Sequence, residues 1–246
     1  RKADGRMLPI GREAARIARA QGLPIVYVAA WYQEYPVSVV AKAGTDLTSP
    51  AVLRGMTIGL PGLYGASYIG LRALLHAGGL TEADVTLDSI GYTQVEALVT
   101  DRDPVVVVYT ANEPTQLRSQ GYDLTELRVA EYVNLAGNGI ITNEETLQND
   151  PELVRRFVGA FLQGLTGAAD FPTAAFHIAT YHVEGLAIED TVQQQVLAAS
   201  TEMWAIDPPG RSDPAAWENM QDLLLDMGLL TQPLDLSQAF TNDFLP

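Results

Sequence analysis

Residues 54–79 read RGMTIGLPGLYGASYIGLRALLHAGG. A short apolar run at 56–60 is broken by Pro61-Gly62-Leu63-Tyr64-Gly65. Tyr68, Ile69, Leu71, Leu74 and Leu75 then follow at helical spacing. Ser67 stands where a helix N-cap belongs, and Gly78 and Gly79 end the helix with residues that accept positive φ. The pattern predicts strand, glycine turn, helix. Such a turn points backbone N–H groups and the positive end of a helix at whatever sits above the sheet edge. Tyr64 and Tyr68 frame that spot. An ordinary βα connection with no ligand has the same outline.

The pattern recurs downstream. Residues 85–90 predict a strand. Thr93 and Glu96 predict a capping box for a helix carrying Val95, Leu98 and Val99. Residues 105–109, VVVVY, predict a strand covered on both faces. This alternation argues for a parallel α/β sheet. Residues 110–114, TANEP, sit at the carboxyl end of the last strand, where open α/β sheets place their ligands.

Upstream, residues 11–21 predict a helix, and residues 25–31 and 37–41 predict strands joined with no helix between them. That junction reads as a crossing from one lobe to another. Residues 129–141, β-rich but studded with Asn134, Gly137, Asn138 and Gly139, read as a second crossing. Beyond 142 the pattern is helical. Asp150-Pro151 starts a helix with Leu153, Val154, Phe157, Val158, Phe161, Leu162 and Leu165 on one face. Further helices are predicted over 171–182, 188–204 and 214–227, followed by a loosely packed tail. The organisation expected is therefore an α/β lobe 2 at 39–141, with lobe 1 assembled from 1–38 and 142–246. Two crossings make a hinge, and a cleft between lobes is a preferred small-molecule site.

Composition narrows the ligand. The chain has 246 residues, 47% of them hydrophobic and 18% charged, enough to build one large core or two smaller ones. The net charge of -15 opposes a nucleic-acid backbone or an anionic membrane surface and suits a neutral or cationic small ligand. With no cysteine, disulfides, thiol catalysis and cysteine–metal sites are excluded. No apolar run approaches the roughly 20 residues that span a bilayer, and residues 1–20 lack a signal-peptide core, so a mature or truncated product is expected.

The common catalytic signatures are absent: no H-E-x-x-H, no G-x-S-x-G, no Walker-type loop, no EF-hand. Gly137-Asn138-Gly139 begins a dinucleotide fingerprint, but Thr142 occupies the third glycine position. His177 and His182 are five apart and do not share a helix face. No cofactor, metal or catalytic residue is expected. What remains is aromatic and amide chemistry. Trp31, Tyr32 and Tyr35 lie at the first crossing, Tyr64 and Tyr68 at the helix start, and Tyr92 and Tyr109 at strand ends. Asn112 and Glu113 follow Tyr109, and Asn134 lies in the second crossing. Such a set suits a flat heteroaromatic ligand: rings stack on it, and amide and carboxylate groups pair with its polar edges. Several of these tyrosines have an equally good reading as lobe packing.

The runs GMTIGLPGLYGASYIGLRALL, VVVVYTANEP and ITNEETLQNDPELVRRFVGAFLQGL resemble the solute-binding proteins of bacterial ABC importers. More narrowly, they are similar to the branch related to nitrate/sulfonate/taurine-binding proteins and thiamine-pyrimidine synthases. The resemblance covers about residues 11–230. It implies a two-lobed periplasmic-binding-protein-like α/β fold of type II, with a two-stranded hinge and a helical C-terminal part. It also implies capture by lobe closure, delivery to a membrane permease, and a periplasmic or lipid-anchored extracytoplasmic location. By that resemblance Gly65, Ala66 and Ser67 form a ligand-facing turn and Asn112 and Glu113 a ligand-facing loop. The strand–helix–strand with which such proteins begin is not found here. The fungal pyrimidine synthases carry a cysteine-rich motif that this chain lacks, which favours transport over catalysis. Glu113 would repel an anion, so a thiamine pyrimidine precursor, or a larger ring such as riboflavin, is the expected cargo. An enzyme of pyrimidine biosynthesis and a receptor's ligand-binding domain are the competing expectations.

Overall fold

A computed structural model of the chain describes residues 7–10, 15, 18–204 and 207–246. Its strands form two separate sheets. β1 (Leu8–Ile10), β2 (Ile25–Ala30) and β8 (Gly139–Asn143) make an antiparallel sheet in the order β1-β8-β2. The second sheet joins β3 (Val37–Lys42), β4 (Thr57–Leu60), β5 (Thr86–Ser89), β6 (Val105–Tyr109) and β7 (Leu124–Arg128) in the order β5-β4-β6-β3-β7. The chain divides into two units. Unit 1 comprises 1–34, 135–189 and 201–246, and unit 2 comprises 35–134 and 190–200.

Unit 2 contains the strand–turn–helix pattern. β4 leads through the glycine turn into α1 (Gly65–Ala77), β5 leads to α2 (Gln94–Val99), and β6 leads to α3 (Glu113–Ser119). β4 pairs in parallel with both β5 and β6. The sheet is not wholly parallel, as alternation alone predicts, because β3 lies antiparallel to β6 and β7. β3 enters the sheet from another segment rather than through a βα unit, so no right-handed crossover sets its direction. Val105 to Val108 are fully buried, as expected of a strand with helices on both faces. Val40, Ile90, Ala97, Leu98, Val106, Val108 and Leu117 form one apolar cluster under α2 and α3. On β3 and β6 packs α1, whose Gly70 lets it come close: a Cβ there would meet Val37 at 2.9 Å and Tyr35 at 3.0 Å.

In unit 1, α4 (Glu144–Asn149) and α5 (Pro151–Asp170) follow β8. α6 (Pro172–Thr180), α7 (Thr191–Trp204) and α8 (Pro214–Asp226) come next, with residues 191–200 of α7 assigned to unit 2. Asp150 caps α5 through the N–H of Leu153, and the buried stripe is Val154, Val158, Leu162 and Leu165. Trp217 of α8 is fully buried, edge-on to Tyr27 at 5.4 Å and stacked on Phe240 at 4.8 Å.

Two local expectations change. The tail is not loose: the Ala239 carbonyl accepts from Tyr27 N–H, and Thr241 N–H donates to the Tyr27 carbonyl, so 239–241 lines up beside β2. Burial of Phe240 against Trp217 supplies the apolar area that holds it there. The Thr93–Glu96 capping box does not form, because the Thr93 hydroxyl donates to the Ile90 carbonyl instead. A reciprocal arrangement occurs at Thr81, whose N–H and hydroxyl both donate to Asp84. The predicted helix over 11–21 falls largely outside the described residues.

Candidate ligand-binding site

The first group of expected site residues lies in unit 1, just past β2. Trp31 N–H and Tyr32 N–H both donate to the Asn138 carbonyl, at 2.9 and 3.0 Å. Tyr27 hydroxyl donates to the same oxygen at 3.0 Å. Gly137 permits this approach, since a Cβ there would meet the Tyr32 carbonyl at 2.6 Å. The Gly-Asn-Gly that fails as a dinucleotide motif thus works as a close-packing device. With the backbone pinned, Trp31 and Tyr32 lie 5.5 Å apart with planes inclined by 36°. Both are half-buried. Phe161 of α5 meets Trp31 edge-on at 6.3 Å, and Trp204 of α7 meets Tyr32 edge-on at 6.0 Å. The result is a part-exposed aromatic cluster in which Phe161 and Trp204 stand nearly perpendicular to Trp31 and Tyr32 respectively. Neither Phe161 nor Trp204 is legible as a site residue in sequence, because helical periodicity assigns both to packing faces.

The second group lies in unit 2 at the start of α1. The helix begins earlier than expected: Tyr64 is its N-cap, at φ -158, and Gly65 has φ 69, the left-handed conformation glycine tolerates. Tyr64 is 64% exposed, whereas Ala66 and Ser67 are buried. Ser67 therefore lies within the first turn rather than capping it. The Ala66 carbonyl accepts from the buried Tyr35 hydroxyl at 2.8 Å, which anchors the turn. Tyr68 is committed elsewhere. Its hydroxyl donates to Glu82 and accepts from Arg72 at 3.0 Å, while Arg72 pairs with Glu82 at 2.9 Å. Burial and the Glu82 hydrogen bond raise its pKa against the pull of Arg72.

The third group follows β6. Glu113, the first residue of α3, folds its carboxylate back to accept from Tyr109 N–H at 2.9 Å and from Asn112 Nδ2 at 3.2 Å. Asn112 Oδ1 accepts from Gln116 at 2.9 Å. Burial pushes the Glu113 carboxyl above its ordinary range, against the lowering pull of its own N–H, Tyr109 N–H and Asn112. Asn112 and Glu113 line a cavity of about 470 Å³ together with Tyr92, Gln94, Glu96, Gln116 and Gln120. Gln94 and Gln116 escape sequence reasoning because isolated glutamines on short helices carry no signal. Asn134 is exposed, between a 3₁₀ turn at Val129–Glu131 and β8. Unit 2 thus brings Tyr109, Asn112 and Glu113 into one hydrogen-bonded group, with Tyr68 in a different one.

Among the described residues no cluster of His, Asp and Glu could hold a metal ion. Lys42 donates to the Val99 carbonyl at 3.1 Å and pairs with Asp101 at 2.8 Å.

A family model described as NMT1/THI5 like matches residues 11–175. The riboflavin-binding protein RibY of Chloroflexus aurantiacus is 41% identical over 236 residues, covering 94% of this chain and 67% of that protein. The formylaminopyrimidine-binding protein of Halalkalibacterium halodurans is 27% identical over 236 residues, covering 92% and 70%. Among solved structures, the periplasmic aliphatic sulphonate binding protein SsuA from Escherichia coli superposes with a TM-score of 0.77 at 14% identity, covering 94% of this chain and 78% of that one. The last likeness establishes a periplasmic-binding-protein fold.

Proposed function

The chain belongs to the NMT1/THI5-like family, and on that premise we propose that it is the solute-capturing component of an ABC importer with a flat heteroaromatic vitamin as cargo. Riboflavin stands first and a formylaminopyrimidine second. The observation that carries this reading is the half-buried pair of rings, Trp31 and Tyr32, just past β2. Flat heteroaromatic rings stack on exposed aromatic faces of this kind. The greater identity to a riboflavin-binding relative supports that order.

The absence of cysteine and the engagement of Lys42 with Asp101 and Val99 favour capture over catalysis. Delivery to a permease places the protein outside the cytoplasm. No helix among the described residues is long and apolar enough to cross a membrane. A fluorescence titration tests the reading: riboflavin stacked on Trp31 and Tyr32 loses its emission, saturably and with a nanomolar to micromolar Kd. Unchanged emission and unchanged Tm at saturating riboflavin would reject the flavin. Competition by a formylaminopyrimidine, with no flavin response, would favour the second reading.

A further inference from the structure

The unit 2 cavity offers chemistry that a flat ring does not need. Its wall carries the carboxamides of Gln94, Gln116 and Gln120, the carboxylates of Glu96 and Glu113, and the Tyr92 ring. Gln94 decides the matter. It is only 4% exposed and it lines the cavity, so the little surface it keeps faces that space. A carboxamide at a cavity wall hydrogen-bonds to whatever fills the cavity, water or ligand. Nothing basic lines the cavity among the described residues, and two carboxylates bar an anion. The Glu113 oxygens already accept from the Tyr109 N–H and the Asn112 amide, which leaves them little capacity for a cation. Tyr92 is 83% exposed and presents an open ring at the rim.

We propose that this cavity binds a neutral polyhydroxylated group, a sugar alcohol or sugar-like chain. Hydroxyls donate to the carboxylates and amide oxygens and accept from the amide N–H groups, which suits carboxamides that offer both roles. The C–H edges of the chain lie on the Tyr92 ring. The volume of about 470 Å³ falls in the roughly 300–1,000 Å³ range of small-molecule pockets. The polyol is either free or the side chain of a larger ring ligand, and only in the second case does the inference rest on the flavin reading.

NMR of the side-chain amides tests it on the intact chain with three probes: ribitol, riboflavin, and lumiflavin, which keeps the ring but has no polyol. The Gln94 amide pair is identified by its loss in Gln94→Leu. A shift with riboflavin and none with lumiflavin supports a polyol carried on a ring. A shift with ribitol supports a free polyol. Tyr92→Ala, at an exposed position that leaves the core untouched, is expected to weaken either response about fivefold. The proposal is overturned if neither ribitol nor riboflavin shifts Gln94, if lumiflavin shifts it as much as riboflavin, or if Tyr92→Ala leaves the response unchanged. Flavin emission read in the same samples separates the two claims. Quenching without a Gln94 shift sinks the polyol site and leaves ring capture standing, and a ribitol shift without quenching does the reverse.

Discussion

On the proposed function Trp31 is a binding surface, and its surroundings hold it in place. Its N–H is tied to Asn138, its ring is braced by Phe161, and its neighbour Tyr32 is braced by Trp204. A platform fixed before the ligand arrives spends little rotamer entropy on binding. Trp31→Ala is expected to weaken riboflavin binding by about 1–3 kcal/mol. Circular dichroism should stay native, because the half-exposed ring leaves no sealed cavity. Unchanged affinity would show that Trp31 only packs. Asp103 is the opposite case, a charge kept where it costs. It is 1% exposed, its carboxylate oxygens have no hydrogen-bond partner among the described residues, and Arg102 Nε stands 3.9 Å away. Burial, then the nearby Asp88 charge, push its pKa up, with Arg102 pulling down. The folded state therefore holds this proton to higher pH than the unfolded chain does, and stability falls as pH rises through that window. Asp103→Asn is expected to raise Tm by about 2–4 °C at pH 7, with the gain vanishing below about pH 4. A pH-independent difference would refute the assignment.

At the scale of elements, legibility depends on what surrounds each one. β6 is readable because a strand covered on both faces must be apolar at every position. β7 (LTELR) and β1 (LPI) are not, because each borders its sheet on one side only and needs no such pattern. The Thr93 box looked readable, yet its hydroxyl found a nearer acceptor in Ile90. Glycines behave similarly. At Gly139, in β8, a Cβ would overlap the Tyr27 hydroxyl and the Ala29 carbonyl across the β2 pairing. At Gly159, inside α5, nothing lies within 4 Å. Gly139→Ala is expected to destabilise unit 1 by about 3 kcal/mol or more, measured by urea unfolding. Gly159→Ala is expected to stabilise it by about 0.5–1 kcal/mol. Equal effects would mean that the β2–β8 approach is not as close as described.

For the whole molecule, 30 acidic against 15 basic residues set the electrostatics. Self-repulsion at a net charge of -15 is screened by salt, so Tm should rise between 10 and 150 mM NaCl, concentrations that shorten the Debye length from about 30 to about 8 Å. A fall in Tm would show that attractive pairs dominate. Riboflavin at 100 times its Kd should add about 2.7 kcal/mol of stability, and Trp31→Ala should remove about 1–2.4 kcal/mol of that gain at the same concentration.

The sequence by itself determined the α/β class, the strand–glycine–helix units and the helical C-terminal part. These follow from periodicity, turn residues and charge, which act over a few neighbours or over the composition as a whole. Only the tertiary structure decided that Trp204 and Phe161 brace Trp31 and Tyr32, that Gln94 lines a cavity, and that 239–241 lies beside the edge of β2. Those contacts join segments far apart along the chain. No local pattern encodes them, because each partner's own stretch is satisfied equally well by ordinary packing.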